Sequence, residues 1–295
     1  MCPNRVSAAV RELDINEVRR HPWWTSDTPI PEKYRGPHQL TRNGWADIVS
    51  QLERREEVAV VRSLAAGHTR ALDVGGGTGE LTHAIATQVL QCTAVEPHPD
   101  RVAALATPLH GPGAPITVHP GHAEALPFPD HSFDIVFAAW VLPYVHDLTT
   151  AAHELARVCD STKPGATIAI LGGAGDNELI HLLNTACVPI ANEAPDHQGF
   201  LLAEAASVLA DRGFTSFSLH RTESFLLFPQ PEPAARIDNA ARIITNFWYE
   251  ECPHVADMRD ALTDPLVEHF ARRPHAIGDQ GIALVARNST TPGRR

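Results

Sequence analysis

The sequence predicts an α/β protein with a doubly wound, mostly parallel sheet, and three observations carry that prediction. From Thr69 onward, short apolar runs alternate with segments of helical periodicity, which is typical of parallel strands joined by helices. A glycine-rich turn, Gly75-Gly-Gly-Thr-Gly79, directly follows the first apolar run. An acidic residue, Glu96, ends the second run, about 20 residues beyond Asp73 at the end of the first.

The residues before Thr69 are expected to form helices. An amphipathic pattern over 6–20 predicts the first helix, and a stretch rich in proline and aromatic residues follows it. Apolar residues at helical spacing between Trp45 and Leu64 predict one or two further helices over 44–64.

Strands are expected where short apolar runs are bounded by turn residues. These runs lie at 70–74, 92–96, 115–118, 133–139, 166–171, 214–221 and 281–287. Helices between them are expected from apolar residues at helical spacing. These segments lie at 79–89, 99–106, 148–159 and 200–211. The sequence Lys163-Pro-Gly165 is a turn that leads into the fifth strand.

Two segments do not fit a minimal alternating core, and we interpret them as helical caps over the carboxyl ends of the strands. In open α/β sheets, ligands bind at that edge. The predicted organisation is N-terminal lid helices over 1–66, a core over 67–175 completed by 199–222 and 279–288, caps over 176–198 and 223–278, and a disordered tail over 289–295.

Composition restricts the class of function. The 24 basic and 35 acidic residues give a net charge of −11, which argues against a nucleic-acid partner because such binding depends on Lys and Arg contacts with phosphates. No apolar run approaches the length of a membrane span, and no hydrophobic leader follows Met1. The five cysteines are scattered and form no CxxC pair, so we expect a cytoplasmic protein without disulfides or a metal site.

The glycine turn and Glu96 together predict a site for a cofactor that contains adenosine. Only glycine adopts positive φ at little cost, and it lets a ligand approach bare backbone. A helix that begins just after the turn points free N–H groups at the ligand. A carboxylate at the end of the second strand is placed to bind ribose hydroxyls.

The chain resembles the class I S-adenosylmethionine-dependent methyltransferases, of the small-molecule type similar to those of ubiquinone and menaquinone biosynthesis. Five segments match that family in order: 72–79, Val95-Glu96-Pro97, 121–128, 132–136, and 154–158 with the turn at 163–165. A nicotinamide dehydrogenase is the rival for a glycine turn, but its G-x-G-x-x-G spacing would require glycine at position 80, which is Glu80. The resemblance implies a Rossmann-like, seven-stranded sheet whose last strand is antiparallel.

The resemblance also implies which residues bind S-adenosylmethionine. The glycines would contact the methionine part, Glu96 both ribose hydroxyls, and the backbone of Ala123 the adenine ring. Many relatives carry aspartate where this chain has His122. The complete set of expected cofactor residues is Asp73, Gly75, Gly76, Gly77, Gly79, Glu96, Pro97, His122, Ala123, Glu124 and Ala139.

The catalytic residues are harder to assign. Many small-molecule relatives have two histidines where this chain has Pro143-Tyr144. Tyr144 remains close to the expected methyl position, and a base is needed for an O–H or protonated N–H acceptor. The candidates are Tyr144, His146 and His181, with His197 and His254 as further histidines in the caps. Most of the 17 histidines must be surface or structural residues.

Aromatic residues suggest the type of substrate. If they line one cavity, they favour a flat, apolar metabolite or a cation. The expected substrate residues are Trp23, Trp24, Tyr34, Trp140 and Trp248, whereas Trp45 is interpreted as ordinary core packing. The hypothesis is therefore a methyltransferase of secondary metabolism acting on a small molecule, with O- or N-methylation favoured over C-methylation. The alternatives are a cyclase or isomerase that keeps the cofactor, and a non-catalytic cofactor sensor; a homodimer is left open.

Overall fold

The computed structural model describes residues 11–106, 113 and 115–288. Within them, seven strands form the main sheet in the order β4-β3-β2-β5-β6-β10-β7. Their bounds are β2 Arg70–Val74, β3 Gln91–Glu96, β4 Ile116–Pro120, β5 Ile135–Ala139, β6 Thr167–Gly173, β7 Ser216–Thr222 and β10 Gly281–Arg287. Strand β10 is antiparallel to both neighbours, with Gly281 opposite Gly173 and Thr222. The predicted fold class and its antiparallel last strand are confirmed.

A second, three-stranded sheet was not predicted. It joins β1 Leu52–Glu53, β8 Phe225–Leu227 and β9 Ala276–Gly278 in antiparallel pairs. These strands have two or three residues each, which is too short for a periodic pattern to stand out from the sequence. The sheet ties the N-terminal region to the segment that precedes β10.

The helices follow the sequence pattern in the core and differ from it in the caps. Their bounds are α1 Ile15–Arg19, α2 Arg42–Gln51, α3 Arg55–Ala65, α4 Glu80–Ala86, α5 Pro99–Leu105, α6 Leu148–Val158, α7 Glu178–Leu182, α8 Val188–Ala191, α9 Gln198–Asp211, α10 Pro233–Tyr249 and α11 Val255–Arg272. In the cap segment over 176–198, α7 continues through a π-helical turn into α8. The segment over 44–64, predicted to form one or two helices, forms two, which are separated by β1.

The first predicted helix is shorter in its described part than the pattern over 6–20 suggested. Helix α1 begins after Asp14, whose carboxylate accepts hydrogen bonds from the N–H groups of Asn16 and Glu17, while the Glu17 side chain accepts from the Asp14 N–H. This reciprocal capping fixes where the helix starts. Residues 6–10 of the prediction and the tail at 289–295 lie outside the described residues.

Both faces of the central strands β5, β6 and β10 are buried, which explains why these strands are largely apolar rather than alternating. Leu72 and Val136 face α6 and α9, whereas Ala71 and Phe137 face α3 and α4. Because β2, β3 and β5 are parallel, their carboxyl ends lie at one open edge of the sheet. Strand β10 is antiparallel, so it starts at the same edge.

The caps and the N-terminal helix α2 share a hydrophobic core, which is built from three separated parts of the chain. Ile48 of α2, Leu179 of α7 and Ile244 of α10 all belong to one buried cluster. Helix α2 lies so close to α10 that a methyl group added at Gly44 would overlap with the carbonyl oxygen of Asn246. The caps therefore form one packed layer above the open edge of the sheet.

No helix of the described residues has the length and apolar character needed to cross a membrane. No group of three or more His, Cys, Asp or Glu side chains in the same part of the chain is arranged to hold a metal ion.

Candidate functional site

The turn after β2 adopts a backbone that requires glycine. Gly75, Gly77 and Gly79 have φ values of 75°, 57° and 97°, in the left-handed region that other residues rarely adopt. The Gly75 N–H donates to Val95 O at 2.7 Å, which ties the turn to the neighbouring strand β3. Gly79 is the N-cap of α4, so the first N–H groups of that helix face the turn.

Glu96 is held in a fixed position beside this turn. Its side chain is 2% exposed, and its two oxygens accept hydrogen bonds from the N–H groups of Gly77 and His98, each at 3.0 Å. The Arg101 guanidinium lies 3.5 Å from the same carboxylate. Two backbone donors and one cation thus stabilise a buried carboxylate at the open edge of the sheet.

Asp73 connects the strand to the helix that follows. The hydroxyl of Thr82 in α4 donates to its Oδ2 at 2.6 Å. Burial raises the pKa of Asp73 to about 6, because removing water disfavours the charged form. The contact ties the end of β2 to α4 across the glycine turn.

One cavity of about 360 Å³ lies above the open edge of the sheet. Every residue expected to contact the cofactor lines it: Asp73, Gly75, Gly76, Gly77, Gly79, Glu96, Pro97, His122, Ala123, Glu124 and Ala139. Three of the residues expected on the acceptor side also line it, namely Trp140, Tyr144 and Trp248. The structure thus brings both groups of predicted residues to one cavity of the usual size for a small-molecule site.

The residues of the loop at 121–128 differ in exposure and in contacts. Ala123 is buried and His122 is exposed at the cavity rim. The Glu124 carboxylate accepts the backbone N–H of His146 at 2.6 Å, which links this loop to the chain after β5. The role of Glu124 visible in the structure is therefore to position backbone.

One wall of the cavity is formed by aromatic side chains. The indole Nε1 of Trp248 donates to the Tyr144 hydroxyl oxygen at 3.2 Å. His38 stacks on Trp248 with ring centroids 3.4 Å apart and planes 10° apart. The His38 nitrogens contact Asp196 Oδ1 at 3.1 Å and Arg35 Nη1 at 2.5 Å, so this buried histidine supports Trp248 from behind. Burial raises the pKa of Tyr144 well above its usual value, which keeps its hydroxyl protonated.

Trp140 lies on the opposite wall with two buried carboxyl groups near it. Its backbone has a positive φ of 58°, and its indole Nε1 is 3.2 Å from both oxygens of Glu57. Glu57 and Asp279 are only 1% and 8% exposed. Burial raises the pKa of Glu57 to about 7 and that of Asp279 to about 6.

Five residues expected at the catalytic or substrate site lie elsewhere. Trp24 donates its indole N–H to the carbonyl oxygen of Val18, and Trp23 packs against the hydrophobic core below α9. The Tyr34 hydroxyl lies 3.1 and 2.8 Å from the carbonyl oxygens of Leu142 and Val145, so it anchors the backbone beside Tyr144.

The two histidine candidates are also outside the cavity. His146 is exposed and contributes its backbone N–H to Glu124. His181 is exposed on α7 and lines a second cavity of about 1210 Å³, together with His197. The helical period turns His181 away from Leu179, which lines the first cavity.

Four residues of the first cavity or its wall were missed from the sequence: His38, Trp45, Glu57 and Asp279. Trp45 lies so close to the glycine turn that a methyl group at Gly77 would meet its Cζ2 at 3.0 Å. A signal did exist for Glu57, since it shares the buried face of α3 with Val61 and Leu64 at helical spacing.

Comparison with known proteins identifies the fold. Residues 72–170 match the family described as "Methyltransferase domain". The chain is 33% identical over 90 residues to the uncharacterized methyltransferase YcgJ of Bacillus subtilis, covering 30% of this chain and 36% of YcgJ. A malonyl-(acyl-carrier protein) O-methyltransferase of Halorhodospira halophila is 28% identical over 201 residues, covering 62% of this chain and 65% of that protein. These alignments thus span less than two thirds of either relative.

The structure of YcgJ shares the architecture, with a TM-score of 0.53 and 16% identity over 79% of this chain and 98% of that one. The chain contains a class I S-adenosylmethionine-dependent methyltransferase domain. The cofactor of this methyltransferase domain is S-adenosylmethionine, and the residues present fit it. The glycines of the turn line the cavity with bare backbone, and Glu96 adds a fixed, buried carboxylate beside them.

Proposed function

We propose that this methyltransferase domain transfers a methyl group from S-adenosylmethionine to an oxygen or nitrogen atom of a small apolar or aromatic metabolite. One observation carries the proposal: the cavity runs without interruption from Glu96 and the glycine turn to the aromatic wall of Trp140, Tyr144 and Trp248. The residues expected to hold the donor therefore face the residues expected to hold the acceptor.

The bound cofactor supplies an electrophilic methyl group on a sulfonium. The protein has to bind and align the acceptor, because holding two reactants in line accounts for much of the rate of such a transfer. The caps supply this alignment. Trp45 from α2 and Trp248 from α10 cover the cavity from above, and the aromatic pair of Tyr144 and Trp248 offers flat apolar faces beside the end of β5.

Binding of S-adenosylhomocysteine to the purified chain tests the donor half of the proposal. At about 100 times its Kd, the ligand should raise the free energy of unfolding by ~2.7 kcal/mol, seen as a higher melting temperature. Glu96→Ala should weaken the binding measured by calorimetry by about 1–3 kcal/mol, since it removes a charged hydrogen-bond acceptor. Glu204→Ala, an exposed change on α9, is the control and should bind as the parent does.

Methyl transfer itself is tested with isotopically labelled S-adenosylmethionine and a panel of small aromatic and apolar alcohols, phenols and amines. The expected result is label in an acceptor and stoichiometric S-adenosylhomocysteine. Turnover of an acceptor with the label retained in S-adenosylmethionine would instead establish cyclase or isomerase chemistry. A chain that binds no S-adenosylhomocysteine would contradict the proposal altogether.

A further inference from the structure

Asp279 occupies the turn between β9 and β10, at the open edge of the main sheet. It is 8% exposed and lines the cavity. Its backbone N–H donates to Ser224 O at 2.8 Å, and its Oδ1 accepts from the Asn177 side chain at 2.7 Å. Among residues 11–106 and 115–288, its Oδ2 has no hydrogen-bond partner. A buried, firmly held carboxylate thus offers one free oxygen.

The cations around this carboxylate are shared among several carboxyl groups. Arg54 Nε lies 3.1 Å from Glu80 and 3.9 Å from Glu57, and the Arg54 charge also acts on Asp279. The second arginine of the cavity, Arg101, pairs with Glu96. Glu57 shares Arg54 with Glu80 and also accepts from the neutral Trp140 indole. The acceptor end of the cavity therefore has an excess of carboxyl groups over positive partners.

The walls at this end are aromatic. Trp140 and Trp248 line the cavity together with Tyr144 and Phe247. Aromatic faces attract cations, and desolvation strengthens that attraction. An unpaired buried carboxylate is costly, and an ammonium group beside it would offset that cost through a charge-assisted hydrogen bond.

We propose that Asp279 is a catalytic carboxylate that binds the protonated amine of the acceptor, so that the substrates are amines with an apolar or aromatic body. This inference rests on the proposed methyl transfer and selects nitrogen over oxygen as the acceptor atom. Asp279 Oδ2 receives the ammonium group, and the indole rings of Trp140 and Trp248 flank its apolar body.

The chemistry balances in three steps. The ammonium proton passes to Asp279, which frees the nitrogen lone pair. The nitrogen forms a bond to the methyl carbon as the carbon–sulfur bond breaks, and the electron pair of the broken bond stays with sulfur. The methylated nitrogen carries the positive charge away, and the Asp279 carboxylic acid returns its proton to water. Burial raises the pKa of Asp279 to about 6, which brings this carboxylate closer to the range of a base that works near neutral pH.

Ligand-observed NMR on the protein saturated with S-adenosylhomocysteine tests the inference without relying on turnover. The probes are pairs of equal shape that differ in charge: 2-phenylethylamine against 2-phenylethanol, and tryptamine against tryptophol. The parent protein should bind each amine about tenfold more tightly than its alcohol, the scale of one hydrogen bond to a charged group. Asp279→Asn, which keeps the size of the side chain, should abolish the preference.

Asp211→Asn is the matched control, because Asp211 is exposed at the end of α9, and it should keep the preference for amines. Calorimetry should show S-adenosylhomocysteine binding unchanged in Asp279→Asn, which separates this test from that of the proposed function. If the parent protein does not bind S-adenosylhomocysteine, the proposed function is refuted. Intact S-adenosylhomocysteine binding without any amine preference in the parent, whether both probes bind or neither does, overturns the inference alone, as does a preference that survives in Asp279→Asn.

Discussion

Glu57 is the most deeply buried carboxyl group beside the cavity, and its position makes a prediction about stability. Burial raises its pKa from 4.5 to about 7, so the folded protein holds the proton more tightly than the unfolded chain does. The stabilising contribution is complete below the unfolded pKa and is lost as pH rises through about 7. Arg54, Asp279, the Trp140 indole and the Ser224 hydroxyl are the groups that act on this carboxyl.

Glu57→Gln removes the proton equilibrium while retaining an acceptor for the Trp140 indole. Relative to this variant, the parent should lose about 3 kcal/mol of unfolding free energy between pH 4.5 and pH 8. Urea titrations at a series of pH values measure the difference. Glu56→Gln, an exposed change in the same first turn of α3, should track the parent at every pH. A constant difference between Glu57→Gln and the parent would show that Glu57 does not change its charge in this range.

The role of a single residue could be predicted from the sequence where its residue type has one dominant use. It could not be predicted where the residue type has several uses. Three glycines at alternate positions followed by a distant glutamate have few explanations, and all of these residues line the cavity. Tryptophan packs equally well in a core and in a site, which is why Trp24 was expected in the cavity and Trp45 was not. His38 and Asp279 lie in irregular segments, where no period indicates which way a side chain points.

Helices α2 and α10 pack at a distance set by Gly44. A methyl group there overlaps with backbone of α10, which cannot move away as a flexible side chain would. Asp47 reinforces the contact through Arg242 at 2.6 Å and the Asn246 amide at 3.0 Å. These two helices therefore act as one unit that carries both Trp45 and Trp248.

Gly44→Ala should lower the free energy of unfolding by about 1–3 kcal/mol through overpacking, even though alanine is the better helix former. The same change should weaken S-adenosylhomocysteine binding, because α2 carries Trp45 against the glycine turn. Chemical denaturation and calorimetry measure the two effects. Ser50→Ala on the exposed side of α2 is the control and should change stability by less than about 0.5 kcal/mol. Equal stability of Gly44→Ala and the parent would contradict the close approach.

Helices and strands long enough to show a hydrophobic pattern were predictable from the sequence, whereas short ones were not. Strands β5, β6 and β10 are largely apolar runs, β2 and β3 have apolar residues in their buried parts, and the strand order agrees with the doubly wound prediction. The small sheet of β1, β8 and β9 depends on pairing between residues about 170 positions apart for β1 and β8 and about 50 apart for β8 and β9, which local patterns do not encode. The π-helical turn after α7 similarly interrupts a pattern that reads as one helix.

The described residues form a sheet domain and a cap layer that both line the cavity, so ligand binding should be felt by both. S-adenosylhomocysteine should slow amide hydrogen exchange in the glycine turn, in α2 and in the carboxyl-terminal part of α10. Helix α9, which packs on the far side of the sheet core, should exchange at the same rate with and without ligand. Mass spectrometry of exchanged peptides measures this pattern, and protection limited to the glycine turn would show that the caps do not close over the cofactor.

The contact between Gly44 and Asn246 also has a consequence for biosynthesis. Ribosomes add about 5–20 residues per second, so α2 waits roughly 10 to 40 s before its partner α10 is made. During that interval the apolar face of α2, including Ile48, has no cap layer to join. A nascent chain of this protein is therefore expected to be a substrate for chaperones that shield hydrophobic helices, and the sheet itself is complete only when β10, which lies between β6 and β7, has been made.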